Sequence, residues 1–130
     1  MSGRVESGHG DASRWLSRFN AEYATKAGMP IFPGSLNLRL NHLFDWSDEA
    51  IGPLLVEFAR SEYGGERDIL LLPCLLRSLG DMRAYLWTTT NGASSSHDVV
   101  EIITSLGLRD HFGLSDGDMV ELEVGWGPVG

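Results

Sequence analysis

The chain has 130 residues and a formal charge of −8, from 18 acidic against 10 basic side chains. That length suits one domain with one core and no second module. The negative surface repels phosphate backbones, and the nine arginines are scattered with Lys26 the only lysine, so no nucleic-acid partner is expected.

The longest apolar run, Ile69–Leu76, is eight residues, far below the ~20 needed to span a bilayer, so no membrane partner is expected either. The single cysteine, Cys74, lies in that run, where a small buried thiol is the expected state. One unpaired thiol, with no secretory leader in the sequence, predicts a cytoplasmic location.

Residues 2–7 read as a short strand with Val5 inward, running into the turn-forming loop Gly8-His9-Gly10-Asp11-Ala12-Ser13. Asp11 or Ser13 suits the N-cap of a helix. Its apolar residues fall at Leu16, Phe19, Tyr23 and Ala27, a spacing that buries one face, and Gly28 ends it. A turn with two prolines precedes Ser35-Leu36-Asn37-Leu38-Arg39-Leu40, a strict alternation. In a strand the leucines take one face, and Ser35, Asn37 and Arg39 take the other.

Residues 44–52 read as loop with a helical turn, and 54–61 fit helix or strand equally. Residues 68–79 read as one buried strand bent or bulged at Pro73. Residues 82–89 read as another, with Ala84, Leu86 and Thr88 opposite Tyr85 and Trp87; 91–96 read as a flexible loop. Residues 99–104 are apolar apart from Glu101, and a short helix over 106–112 follows. A tight turn then leads into a last alternating strand, 119–124, and a loose tail over 125–130. The fold class is mostly β, a small β-barrel with one amphipathic helix and short helical additions, as a single domain over 1–130.

Three places invite chemistry. Ser35 and Asn37 offer a hydroxyl and an amide oxygen on one strand face, about 7 Å apart along the chain. Hard cations such as Mg²⁺ take oxygen ligands and commonly only one or two from protein, although an ordinary solvated strand face has the same spacing. The loop from Gly8 to Ser13 joins a strand to a helix, where glycines let backbone N–H groups approach phosphates; a plain turn reads the same way. Glu101, planted among Val99, Val100, Ile102 and Ile103, is either a partly desolvated carboxylate marking a site or a side chain reaching solvent at the strand edge. The four histidines and one cysteine show no zinc-ligand spacing.

Taken together, these segments resemble a known family. Pro33-Gly34-Ser35-Leu36-Asn37-Leu38-Arg39-Leu40 is similar to a Gly-Thr-Leu-Asn strand. Glu101-Ile102-Ile103, Leu108-Arg109 and Leu114-Ser115-Asp116-Gly117-Asp118 are similar to Glu-Ile-Ile, Leu-Arg and Leu-x-Asp-Gly-Asp segments. Gly3 to Gly10 resembles a first strand and glycine loop, so the ordered set covers nearly the whole chain. The family is the archaeal-type CTP-dependent riboflavin kinases, six-stranded cradle-loop β-barrels.

The resemblance implies Mg²⁺-dependent transfer of a phosphoryl group from CTP to the 5′-hydroxyl of riboflavin, giving FMN and CDP. By the same resemblance, Ser35 and Asn37 would hold the metal. Gly8, His9, Gly10, Asp11, Ala12 and Ser13 would line the phosphates, and Leu106, Gly107, Leu108 and Arg109 would contact the nucleotide. Thr90, Asn91 and Glu101 would face the flavin, with Glu101 the catalytic residue. Small-molecule substrates are thus the expected partners.

Two positions depart from the family pattern. Ala12 stands where a further glycine is usual, which would strain the loop if that position needs positive φ. Residues 88–97 lack the tyrosine of a Thr-Tyr element and carry two extra residues. The second reading is therefore a nucleotide-binding protein, or a kinase acting on a different small alcohol, with the flavin site lost. A third is a barrel-type DNA-binding regulator, which shares the Leu-Arg and Leu-x-Asp-Gly-Asp-x-Val endings. The −8 charge and the lack of a lysine-rich arm weigh against it.

Overall fold

The computed structural model describes residues 1–8 and 11–125. Seven strands form one antiparallel sheet: β1 (Ser2–Glu6), β2 (Leu36–Phe44), β3 (Val56–Phe58), β4 (Ile69–Leu76), β5 (Met82–Thr89), β6 (His97–Ile103) and β7 (Met119–Val124). They lie in the order β3-β4-β5-β6-β2-β1-β7, and β4 also pairs with β7. That extra pairing, Cys74 to Leu76 against Leu122 to Val124, closes six strands into a barrel and leaves β3 as a flap on β4. The mostly β, six-stranded expectation holds.

Alternation on the strands sorts side chains to two sides of the wall. Val5, Leu36, Leu38, Leu40, Leu72, Cys74, Leu76, Leu86, Val100, Ile102, Val120 and Leu122 point inward and fill the barrel. Full burial of such a side chain contributes roughly 1.5–3 kcal/mol, so this lining dominates stability. Burial also pushes the Cys74 thiol up to about 12, leaving it a neutral core group at neutral pH.

A second core lies outside the wall. Ile69, Leu71, Tyr85 and Ile103 point outward there and are covered by Leu16, Phe19, Tyr23 and Ala27. Those covering residues do not lie on one continuous helix. The chain breaks at Phe19 into α1 (Asp11–Arg18) and α2 (Asn20–Ala27), where Phe19 leaves helical geometry at φ −112°, ψ 25°. The Asn20 side chain donates to the Ile31 carbonyl at 2.7 Å, tying the bend to the following turn. Two short helices thus follow a curved wall that one straight helix would leave. Tyr23 sits at the centre, its hydroxyl accepting indole N–H bonds from Trp15 and Trp87, each at 2.9 Å. Burial pushes this phenol up to about 12.

Three other expectations change. Pro73 makes no bulge: β4 pairs with β5 in unbroken register from Ile69–Thr89 to Leu76–Met82. β3 ends opposite Ile69 to Leu71 and β7 begins opposite Cys74, so Pro73 falls in the handover between the two neighbours. A proline is tolerated there because its missing N–H has no ladder bond to make. The ambiguous 54–61 stretch resolves into the strand β3 and a single helical turn, α3 (Arg60–Tyr63). Gly125 is anchored rather than loose, its N–H donating to the Pro73 carbonyl at 2.6 Å; residues 126–130 lie outside the described residues. The loop after β5 contains a 3-10 turn at Gly92–Ser94, and α4 (Leu108–Phe112) follows β6. Among the described residues no helix is long and apolar enough to cross a membrane.

Candidate active site

The outer wall leaves one polar strip that the helices do not cover. Register pairs Glu6 with Asn37, Asn37 with Glu101, and Glu101 with Trp87, one row across β1, β2, β6 and β5. Directly opposed side chains on one face are close neighbours. Ser35 immediately precedes β2, and its hydroxyl lies 3.5 Å from a Glu101 carboxylate oxygen. Ser35, Asn37 and Glu101 are all partly buried. The strip therefore gathers a hydroxyl, an amide and a carboxylate.

Glu101 occupies the boundary on β6: Ile103 on the same face is fully covered by the second core, while Val99 is half-exposed. Both readings of its sequence setting contain part of the answer, since it is neither sealed nor fully solvated.

The loop after β1 closes over this strip. A Cβ placed on Gly8 would stand 2.3 Å from the Asn37 amide nitrogen, so only glycine lets the backbone pass there without displacing Asn37. Ser7 donates to Asp116 at 2.8 Å, and Asp116 also receives the Arg109 guanidinium. These two bonds, Arg109 first, hold the Asp116 carboxyl below the usual range. Asp116 thereby links the β1 loop to α4. His9 and Gly10 lie outside the described residues, and Asp11 is the first residue of α1. Ala12 is buried within α1 and packs in the second core, so its backbone is helical and carries no strain from the missing glycine.

Beside the strip opens a pocket of about 250 Å³. Ser13 lines it from α1, and Phe32, Gly34 and Ser35 from the turn into β2. The segment 104–110 supplies the other wall, including Leu106, Gly107, Leu108 and Arg109. The expected nucleotide residues Ser13 and Leu106 to Arg109 thus meet the expected metal residue Ser35 at one cavity. Phe32, Leu36, Ile102, Thr104 and Asp110 also line it and were not expected at a site from the sequence. Phe32 carried one signal, an aromatic held between Pro30-Ile31 and Pro33 in a turn.

Thr90 and Asn91 do not join this group. They line a separate polar pocket of about 240 Å³ with Arg60, Arg67 and Asp68. Thr90 lies three residues beyond Trp87, the partner of Glu101, roughly 10 Å along the strand direction. Arg39, on the Asn37 face, is committed elsewhere. It pairs with Glu6 at 2.9 Å and with Asp98 at 2.6 Å, both exposed.

The family model for CTP-dependent riboflavin kinases, described as domain of unknown function DUF120, matches residues 5–124. The chain belongs to that family. Curated relatives agree. A riboflavin kinase of Archaeoglobus fulgidus is 28% identical over 138 residues, covering 95% of this chain and 54% of that protein. One of Pyrobaculum arsenaticum is 28% identical over 140 residues, covering 95% and 60%. One of Methanospirillum hungatei is 27% identical over 129 residues, covering 95% and 57%. The chain spans little more than half the length of the curated relatives it matches.

Among the described residues no three His, Cys, Asp or Glu side chains gather as a metal centre. For a family that handles a triphosphate, the donor chemistry at the strip fits a hard divalent cation. Neutral oxygens from Ser35 and Asn37 suit a metal whose charge is balanced by phosphates, with the Glu101 carboxylate next to them.

Proposed function

We propose that this domain transfers the γ-phosphoryl group of CTP to the 5′-hydroxyl of riboflavin, giving FMN and CDP, with Mg²⁺ held by Ser35 and Asn37. The observation that carries the reading is the convergence of Ser35, Asn37 and Glu101 on one strip that opens into the pocket of Ser13, Gly107 and Arg109. When bound, Mg²⁺ would supply neutralisation of the charge on the triphosphate.

The chain's own residues supply position. The Gly8 backbone and the Ser13 hydroxyl line the phosphate path, and Arg109, fixed by Asp116, adds a cation at the pocket wall. Glu101 orients the acceptor hydroxyl and takes its proton as the oxygen–phosphorus bond forms and the bond to the CDP oxygen breaks. Phosphoryl transfer depends mainly on such placement and on charge.

A second reading, a kinase for a different small alcohol, draws support from Thr90 and Asn91 lying in another pocket and from the missing tyrosine of residues 88–97. One assay separates the two. Purified protein is incubated with Mg²⁺, riboflavin and each of CTP, ATP, GTP and UTP, and FMN is measured by chromatography. FMN with CTP above the other donors is the expected result. CTP binding without FMN would transfer the proposal to the second reading, and no nucleotide binding would end both.

A further inference from the structure

Phe32 is 42% exposed, which is unusual for an aromatic side chain that is also closely fixed. Its neighbour Ile31 is buried in the second core and anchors the turn. The Phe32 N–H donates to the Thr104 carbonyl at 2.8 Å, and its own carbonyl accepts from Gly34 at 2.8 Å, so the backbone is pinned on both sides. The ring packs closely on two glycines. A Cβ on Gly107 would stand 2.9 to 3.2 Å from three ring atoms, and a Cβ on Gly34 would stand 3.1 Å from one of the same three, Cε1. Both contacts are with bare backbone, so the ring sits closer to the chain than a side chain there would permit and still borders the pocket.

An ordinary core aromatic would be covered, and an ordinary surface aromatic would not be clamped at backbone and ring. A ring held in one orientation at the rim of a cavity presents a fixed apolar face. Moving from Ser35 through Gly34 to Phe32 leads from the polar, oxygen-bearing end of the pocket to its apolar end, where Leu106 and Leu108 also stand. A nucleotide has the same polarity, phosphates at one end and a flat π-face at the other. We infer that Phe32, held against these two glycines, is the platform on which the nucleotide base stacks. This inference rests on the kinase reading above and adds the base subsite to it. Base–aromatic stacking tolerates any base, so Phe32 accounts for affinity for a base as such and leaves the choice among bases to edge contacts.

The test measures binding by calorimetry, with CTP and with inorganic tripolyphosphate as a baseless probe. Phe32→Leu should weaken CTP about tenfold or more while leaving tripolyphosphate unchanged, and Phe32→Tyr should restore CTP affinity to near wild type. Gly107→Ala, which forces the ring to swing, should weaken CTP in the same selective way. Wild-type CTP affinity in Phe32→Leu would overturn the inference alone. Equal loss of CTP and tripolyphosphate in that variant, with its circular dichroism unchanged, would make Phe32 a structural support of the pocket and also overturn it. Failure of the wild-type protein to bind either probe would instead overturn the kinase reading on which the inference rests.

Discussion

The two flanks of the Glu101 strip are built differently. On the proposed nucleotide flank, Ser35 leads into β2, Asn37 rides on it, Glu101 rides on β6, and α4 is tied back through Arg109 and Asp116 to Ser7. On the acceptor flank, Thr90 and Asn91, two of the three residues expected to meet the flavin, sit beyond the end of β5 and line another pocket. Strand parity and register fix the first group, because a one-residue slip would put the leucines of β2 in water. A loop carries no such constraint, and Thr90 and Asn91 line another pocket. The strand-borne group is therefore held by the fold itself, and the loop-borne group is not.

The largest expected effect lies on the strand-borne group. Asn37→Ala should reduce FMN formation to background, because it removes an oxygen ligand and the surface on which the Gly8 loop rests. Its stability should stay within about 0.5 kcal/mol of wild type in urea titration, since Asn37 points away from the barrel core. Unfolding with retained specific activity would make Asn37 a structural residue and break the contrast between flanks.

Next comes Glu101→Gln, which keeps shape and one acceptor oxygen but removes basicity. Turnover should fall ~10²–10⁴-fold with CTP affinity nearly unchanged. A drop below about tenfold would assign Glu101 to orientation of the acceptor only.

A stability prediction sharpens the contrast from behind the wall. Trp87, paired with Glu101, is fixed by the Tyr23 hydroxyl, which also serves Trp15. Tyr23→Phe leaves two indole donors without that acceptor and should cost about 1–3 kcal/mol for each that water cannot reach. Nucleotide affinity should not move. A parallel loss of CTP binding would show that the two flanks share one support.

The smallest effect concerns pH. Folding lowers the Asp116 pKa, chiefly through Arg109, so its contribution is complete above the ordinary carboxylate pKa and is lost as pH falls through the depressed folded value. Thermal midpoints of wild type and Asp116→Asn should differ modestly near pH 7 and converge in acid, once Asp116 is protonated below the ordinary carboxylate range. A constant offset at all pH values would mean that charge at Asp116 plays no part.

How much of this could be read in the sequence follows the same division. The alternation of Leu36, Leu38 and Leu40, and that of residues 119–124, set strand, face and inward side correctly, since period-two burial is a local signal. The approach of Ser13, Ser35 and Arg109 to one pocket could be reached only through resemblance, because barrel closure brings together residues far apart in the chain. The break at Phe19 and the unbroken register through Pro73 were not legible. Each depends on a distant neighbour: the curvature of the wall under the helices, and the handover from β3 to β7. Phe32 was visible as an aromatic in a proline turn, but its exposure depends on two glycines, one of them 75 positions away.

The central claim is that the triphosphate and its metal sit on the β2–β6 strip and leave the 90–91 pocket empty of them. Substituting Mn²⁺ for Mg²⁺ with CTP in an isotope-labelled sample tests this directly, because the paramagnetic ion broadens nearby amide signals. Loss of the Asn37 side-chain amide and the Ser35 backbone signal, with Thr90 and Asn91 still sharp, is the predicted result. Broadening centred on Thr90 and Asn91, with Asn37 unaffected, would contradict the account.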